Sequence, residues 1–266
     1  MYYPSSPGIA IHKIPGASID YSNITEGYLT VSYVGDPAKK CKLQVQYNYL
    51  LQNFAVPIDG TAKVFPLCFS DGDYTIRLIK QIEGSRYGLV TSLNVKVALN
   101  SPFAPFLYPN TYSEYNPESL CVKKSAEICA GKTSDIDKIW VMYNWICDNT
   151  EYDYELAKRV QIETWWLPDP DRVIREGKCI CWGYSSLMAA MCRSQGIPCK
   201  IIVGIVKGGG LHAWNEVYSR SGGDIAGIIF KSDVWTRIDV TYMDVYNGKK
   251  AAFIMEYTNY TPEYNG

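Results

Sequence analysis

"GKCICWGYSSLMAAMCRSQGIPCK", residues 177–200, decides how the second half of the chain folds. Tyr184, Leu187, Met188 and Met191 recur at i, i+3, i+4 and i+7, the spacing of one apolar stripe on an amphipathic helix. Gly196 and Pro198 stop that helix. Two cysteines, Cys179 and Cys181, stand where it begins. At the first turn, amides without intrahelical partners and the positive end of the macrodipole favour a negative charge, so Cys181 is placed as a rigidly held thiolate. Backbone amides beside it could donate to an oxyanion.

Downstream, "CKIIVGIV" reads as a buried strand, "KGGG" as a turn, "LHAWNEVYS" as a strand and "VWTRIDVTY" as another strand. A nucleophilic thiolate needs a proton acceptor, and the chain holds only two histidines, His12 and His212. Strand alternation puts His212 on the face it shares with Trp214 and Glu216. Asp239 is a carboxylate in an otherwise apolar stretch and suits the role of fixing the imidazole tautomer. Taken singly, each has a plainer reading: Cys181 as a small core residue, His212 as a hydrogen-bonded structural histidine, and Asp239 as a strand end or the acceptor of a turn amide. The combination is what points to chemistry. His12 keeps the plain reading.

"CWGYSSLMAAMCRSQGIPCKIIVG", "HAWNEVY" and "WTRIDVTY" resemble the three blocks of the transglutaminase-like superfamily, in that family's order. The resemblance covers about residues 116–245. It implies a papain/transglutaminase-like α+β catalytic fold, with Cys181 as nucleophile, His212 as general base and acid, and Asp239 as the orienting carboxylate. Two departures stand out. Cys179 occupies a place where the family usually has glycine, and Asp-Val-Thr replaces the commoner Asp-Pro-Thr; Val240 is compatible with a continuing strand. The family also uses a side-chain oxyanion donor upstream of the nucleophile, for which Gln161, Trp165 and Trp166 are all chemically able.

The remaining cysteines allow rival readings. Cys179 and Cys181 could form a redox pair, or join Cys192 and Cys199 as metal ligands, although the spacing is poor for a metal. Cys121, Cys129, Cys147, Cys192 and Cys199 read as core thiols, and Cys41 and Cys68 fall in expected strands. An odd total of nine leaves at least one thiol unpaired within the chain.

Upstream of the quoted stretch, "TSDIDKIWVMYNWICDNTEYD" predicts a helix, with Ser134 and Asp137 as a capping box and Ile136, Ile139, Trp140 and Tyr143 at helical spacing. "WWLPDPDRVIREG" reads as a Pro-containing loop and a short helix, and "MEYTNYTPEYNG" is ambiguous. From Tyr28 to Leu99, period-two alternation in "YLTVSYV", "KLQVQYNYL", "AKVFPLCF", "YTIRLIKQI" and "LVTSLNVKVAL", broken by Gly, Asp and Pro turns, predicts an antiparallel β-sandwich. Three prolines in "NSPFAPFLYPN" mark a boundary. The expected organisation is a β-sandwich-like accessory domain over residues 1–102 and a catalytic domain over 103–266, an α+β chain.

A composition of 47% hydrophobic and 20% charged residues is that of a folded globular protein. A net charge of −1, with Lys and Arg scattered, disfavours nucleic-acid partners. No apolar run reaches the roughly 18 residues of a membrane span, and the start lacks a signal peptide. The expectation is a protein that stays inside the cell, or one from which a leader has been trimmed.

Together these observations predict a cysteine-dependent hydrolase of amide bonds acting on a peptide or protein, with no cofactor and no metal. Two alternatives stay open: transglutaminase-type transfer to an amine, and a binding or scaffold protein that keeps the fold without turnover. The β domain reads as a structural appendage, or as a module attaching to carbohydrate or cell wall.

Overall fold

Turn residues cut the chain between Ile11 and Val97 into β1 (Ile11–Ile14), β2 (Ala17–Asp20), β3 (Tyr28–Tyr33), β4 (Cys41–Tyr47), β5 (Leu50–Val56), β6 (Lys63–Pro66), β7 (Gly72–Glu83) and β8 (Arg86–Val97). They form two antiparallel sheets, ordered β1-β2-β3-β6 and β5-β4-β7-β8. Alternation then gives each sheet one apolar face. Ile19, Leu29, Val31 and Phe65 from the first sheet, and Leu43, Val45, Phe54, Ile76 and Leu78 from the second, are completely buried. Phe54 and Phe65 meet edge to face across the gap, 5.6 Å between centroids. This is the expected antiparallel β-sandwich.

One expected strand divides. "KLQVQYNYL" turns back on itself between Tyr47 and Leu50, which pair directly. Asn48 takes φ 52°, a left-handed conformation that asparagine tolerates better than most residues. His12 spends its Nε2 on the Thr91 hydroxyl at 2.7 Å, joining β1 to β8.

The computed structural model describes residues 2–162 and 166–265. It separates into two units, Pro4–Pro105 and Met1–Tyr3 with Phe106–Gly266. The second contains α1 (Leu120–Ile128), α2 (Asp135–Asn149), β9 (Glu151–Tyr152), α3 (Tyr154–Val160), α4 (Pro170–Glu176), β10 (Lys178–Cys179) and α5 (Cys181–Ser194). Then come β11 (Cys199–Val206), β12 (Gly210–Ser219), β13 (Gly223–Ile225), β14 (Ile228–Phe230), β15 (Val234–Ile238), α6 (Val240–Val245), α7 (Ala251–Met255) and β16 (Tyr260–Asn265). The main sheet is antiparallel in the order β15-β12-β11-β16. The short β9 and β10 pair in parallel.

α5 packs on β11 and β12 and is flanked by α1, α2, α4 and α6. Every residue from Gly183 to Ser194 is buried, so the helix is central and not amphipathic as its stripe suggested. Tyr184, Ser185, Arg193 and Ser194 find partners inside the protein, whereas the buried Ser186 hydroxyl has none. Arg193, wholly buried, donates from Nε and Nη2 to the Cys199 carbonyl at 2.9 and 2.7 Å and from Nη1 to that of Tyr108 at 3.1 Å. Burial of Leu187, Met188 and Met191 contributes about 1.5–3 kcal/mol each. The helix ends where Gly196 takes φ 72° and the Ile197 N–H reaches back to the Cys192 carbonyl.

In α2 the Ser134 side chain accepts from the Asp137 N–H, as the capping box predicts. The buried stripe, however, is Ile139, Met142, Tyr143 and Ile146, while Trp140 is exposed. Another expectation fails at Val240. It opens α6, with Asp239 as the N-cap, and does not continue β15. Among the described residues, no helix is long and apolar enough to cross a membrane.

Candidate active site

The chain enters α5 through β10, whose pairing with Tyr152 of β9 fixes the approach. Ile180 is the N-cap: its carbonyl accepts from the Gly183 and Tyr184 N–H groups at 2.8 and 3.1 Å, and no side chain caps the helix. Cys181 is therefore the first helical residue, at an end where backbone N–H groups have no intrahelical acceptor. Its thiol is partly exposed.

β12 brings His212 to this helix end. The imidazole is buried and hydrogen-bonds through Nε2 to Asp239 Oδ2 at 2.8 Å. Cys181 lies within hydrogen-bonding reach of the same ring, which leaves Nδ1 as the nitrogen for the sulfur. Burial alone would push the imidazolium down, but the adjoining Asp239, together with Cys181, outweighs it and holds His212 at about 10. The Tyr242 ring lies against the imidazole at 4.6 Å.

Asp239 has no solvent exposure and three hydrogen-bond donors. Oδ1 accepts from the Tyr242 N–H at 3.0 Å, and Oδ2 accepts from His212 and from the Tyr260 hydroxyl, each at 2.8 Å. One carboxylate thus caps α6, which is the plain reading, and also accepts from an imidazole. Below the site, Asn215 donates to the Ser185 and Lys200 carbonyls, both at 3.0 Å, tying β12 to α5 and β11. Sequence reasoning did not single out Asn215 or Tyr260; the only hint of Tyr260 was tyrosine density in a segment without a readable period.

Cys179, two residues before Cys181, is buried against Gly183. A Cβ on Gly183 would come within 2.6 Å of the Cys179 Cβ and 2.8 Å of its sulfur. The volume added by cysteine in place of glycine at 179 is matched by the absence of a side chain at 183. Burial pushes up the thiols of Cys41, Cys121, Cys129, Cys147, Cys179 and Cys192, which makes them poor nucleophiles. All nine cysteines are free thiols. Among the described residues, no group of three or more His, Cys, Asp and Glu gathers as a metal centre, and Cys179, Cys181, Cys192 and Cys199 form no such group.

Of the expected oxyanion donors, Gln161 is exposed at the end of α3 and Trp165 lies outside the described residues. The Trp166 indole N–H is buried without a hydrogen-bond partner, and its ring lies 6.3 Å from that of Trp182, the neighbour of Cys181.

Kyphoscoliosis peptidase of mouse is 33% identical over 96 residues, and its human counterpart 31% over 96. In both cases the match takes in 32% of this chain and 14% of the relative, so it spans about one seventh of those proteins. A candidate cysteine protease from Cytophaga hutchinsonii superposes with a TM-score of 0.48 at 14% identity, covering 90% of this chain and 79% of its own. Residues 122–240, the stretch that carries Cys181, His212 and Asp239, match the model of the transglutaminase-like superfamily.

Proposed function

We propose that the protein is a cysteine-dependent hydrolase of amide bonds, acting on a peptide or protein substrate. Cys181 is the nucleophile, His212 the general base and then acid, and Asp239 the carboxylate that holds the imidazole. The observation that carries this reading is the 2.8 Å His212–Asp239 hydrogen bond beside a cysteine at the uncapped start of a buried helix. Peptide bonds are favoured as the substrate class by the name of the two curated relatives, a peptidase.

In the first half-reaction, His212 takes the thiol proton and the sulfur attacks the carbonyl carbon. The negative oxygen is received by N–H groups at the start of α5. The C–N bond breaks as His212 returns the proton to the departing amine, leaving a thioester on Cys181. Water, deprotonated by His212, then attacks the thioester, and the acid and the free thiol are released.

The test is the iodoacetamide alkylation rate of each cysteine from about pH 5 to 8, read by peptide mass spectrometry. Cys181 should react fastest at the acid end, and His212→Ala should slow it. A Cys181 that reacts no faster than the half-buried Cys147 excludes the thiolate–imidazole pair. Incorporation of a labelled primary amine into casein without cleavage would reassign the second half-reaction to acyl transfer.

A further inference from the structure

The Tyr260 ring and the Tyr260 hydroxyl have different surroundings. The ring packs edge to face on Trp214 at 4.9 Å and on Phe253 at 6.0 Å, with the Arg237 guanidinium 4.3 Å over it. A phenylalanine would satisfy all of that. The hydroxyl instead donates to Asp239 Oδ2, the oxygen that also accepts from His212. Burying a hydroxyl is unfavourable unless it finds a partner, and here the partner is a completely buried carboxylate.

We propose that Tyr260 is a positioning residue for His212. Its hydroxyl fixes the rotamer of the Asp239 carboxylate and takes up part of the charge that would otherwise act on the imidazole alone. This inference rests on reading Cys181, His212 and Asp239 as one catalytic set.

The geometry supports it from three sides. The carboxylate is held by donors from β12, from the first turn of α6 and from β16, so with Tyr260 in place it has one orientation. Burial and the neighbouring Asp239 push the Tyr260 phenol up, which keeps it protonated and a donor at neutral pH. The charged and titratable groups around the pair are Cys181 on α5, Tyr242 on α6, Arg237 on β15 and Glu216 on β12. Arg237 directs Nη1 to the Ile254 and Glu256 carbonyls at 3.0 and 3.4 Å. Tyr260 therefore supplies a neutral donor to Asp239, with the Arg237 guanidinium stacked on its ring.

The experiment reads the His212 ring resonances, Nε2–H and Cε1–H, by NMR on the full chain. Only two histidines are present, so a His12→Gln sample assigns them. In Tyr260→Phe, a carboxylate with one donor fewer draws the imidazole proton more strongly, and the Nε2–H signal should move downfield. In an Asp239→Asn background the same substitution should leave the His212 signals unmoved. An unmoved signal in a Tyr260→Phe protein with wild-type near-UV circular dichroism overturns the proposal, as does an equal displacement in the Asp239→Asn background. Fast acid-end alkylation of Cys181 with an unmoved signal removes Tyr260 alone. Ordinary alkylation of Cys181 in the wild-type chain removes the catalytic reading itself, whatever the NMR result.

Discussion

At Cys179 and Gly183, two side chains share one volume, and their substitutions will not add. Gly183→Ala alone should destabilise by about 1–3 kcal/mol, because the new methyl overlaps Cys179 in a packed interior. In a Cys179→Gly background that overlap is gone, and the nearest remaining neighbour is the Val173 methyl at 3.3 Å, which has to give by a few tenths of an ångström. There, Gly183→Ala should be neutral or stabilising by up to about 1 kcal/mol, the helix-propensity gain of alanine over glycine. Denaturant melts of the two singles and the double measure the coupling, and additive effects would show that the pair is not in contact. Asp239 is the second residue with joined duties. Asp239→Asn keeps an acceptor for the Tyr242 N–H, so the cap costs little, but the imidazole loses its charged partner. Cys181 alkylation at low pH should fall by at least about tenfold, and the melting temperature should fall too, because the buried imidazolium loses the charge that stabilises it.

At the level of elements, α5 shows what could be read in advance and what could not. The start at Cys181, the stop at Gly196 and the stripe of Tyr184, Leu187, Met188 and Met191 follow from spacing alone. Its complete burial does not, because Arg193, Ser185 and Ser194 look like a solvated face until the carbonyls that receive them are in place. Arg193→Met should thus test whether those three hydrogen bonds or the bulk of the side chain matter. With the Cys199 and Tyr108 carbonyls left unpaired, a loss of about 2–4 kcal/mol is expected in thermal or urea unfolding. β15 failed for a different reason. "WTRIDVTY" carries strand propensity through Val240, but the Asp239 side chain accepts a backbone N–H three residues on and turns the chain into α6, so local capping overrode pattern. The same capping explains why valine serves where the family often has proline: this is the first position of a helix, where proline is favoured but not required. Cys181, His212 and Asp239 could be named from three spaced blocks. Tyr260 could not, since "TNYTPEY" offers neither a period nor a partner until β16 pairs with β11.

For the whole molecule, pH reaches the fold through two buried contacts of opposite sign. Asp135 is a buried carboxylate at the start of α2. Burial works against its charge, but two hydrogen bonds from the Arg220 side chain, at 2.7 and 2.9 Å, and one from the Arg220 N–H hold it below the usual carboxylate range. The stability it contributes is present above the unfolded aspartate value and is lost as pH falls through the lower folded value. Acid unfolding should therefore begin at higher pH in Asp135→Asn, followed by circular dichroism from pH 7 downwards. His212 runs the other way. Because its folded value of about 10 exceeds the ordinary 6.5, its contribution is complete below 6.5 and disappears as pH rises towards 10.

The order of residues around Asp239 also bears on synthesis. His212 and Asp239 are translated before α7 and β16, and the third donor to the carboxylate comes 21 positions after it. The sheet position that β16 fills, alongside β11, stays open throughout that interval. The carboxylate thus gains its third donor only when β16 adds to the edge of β11, and the docking of that strand sets the orientation of Asp239.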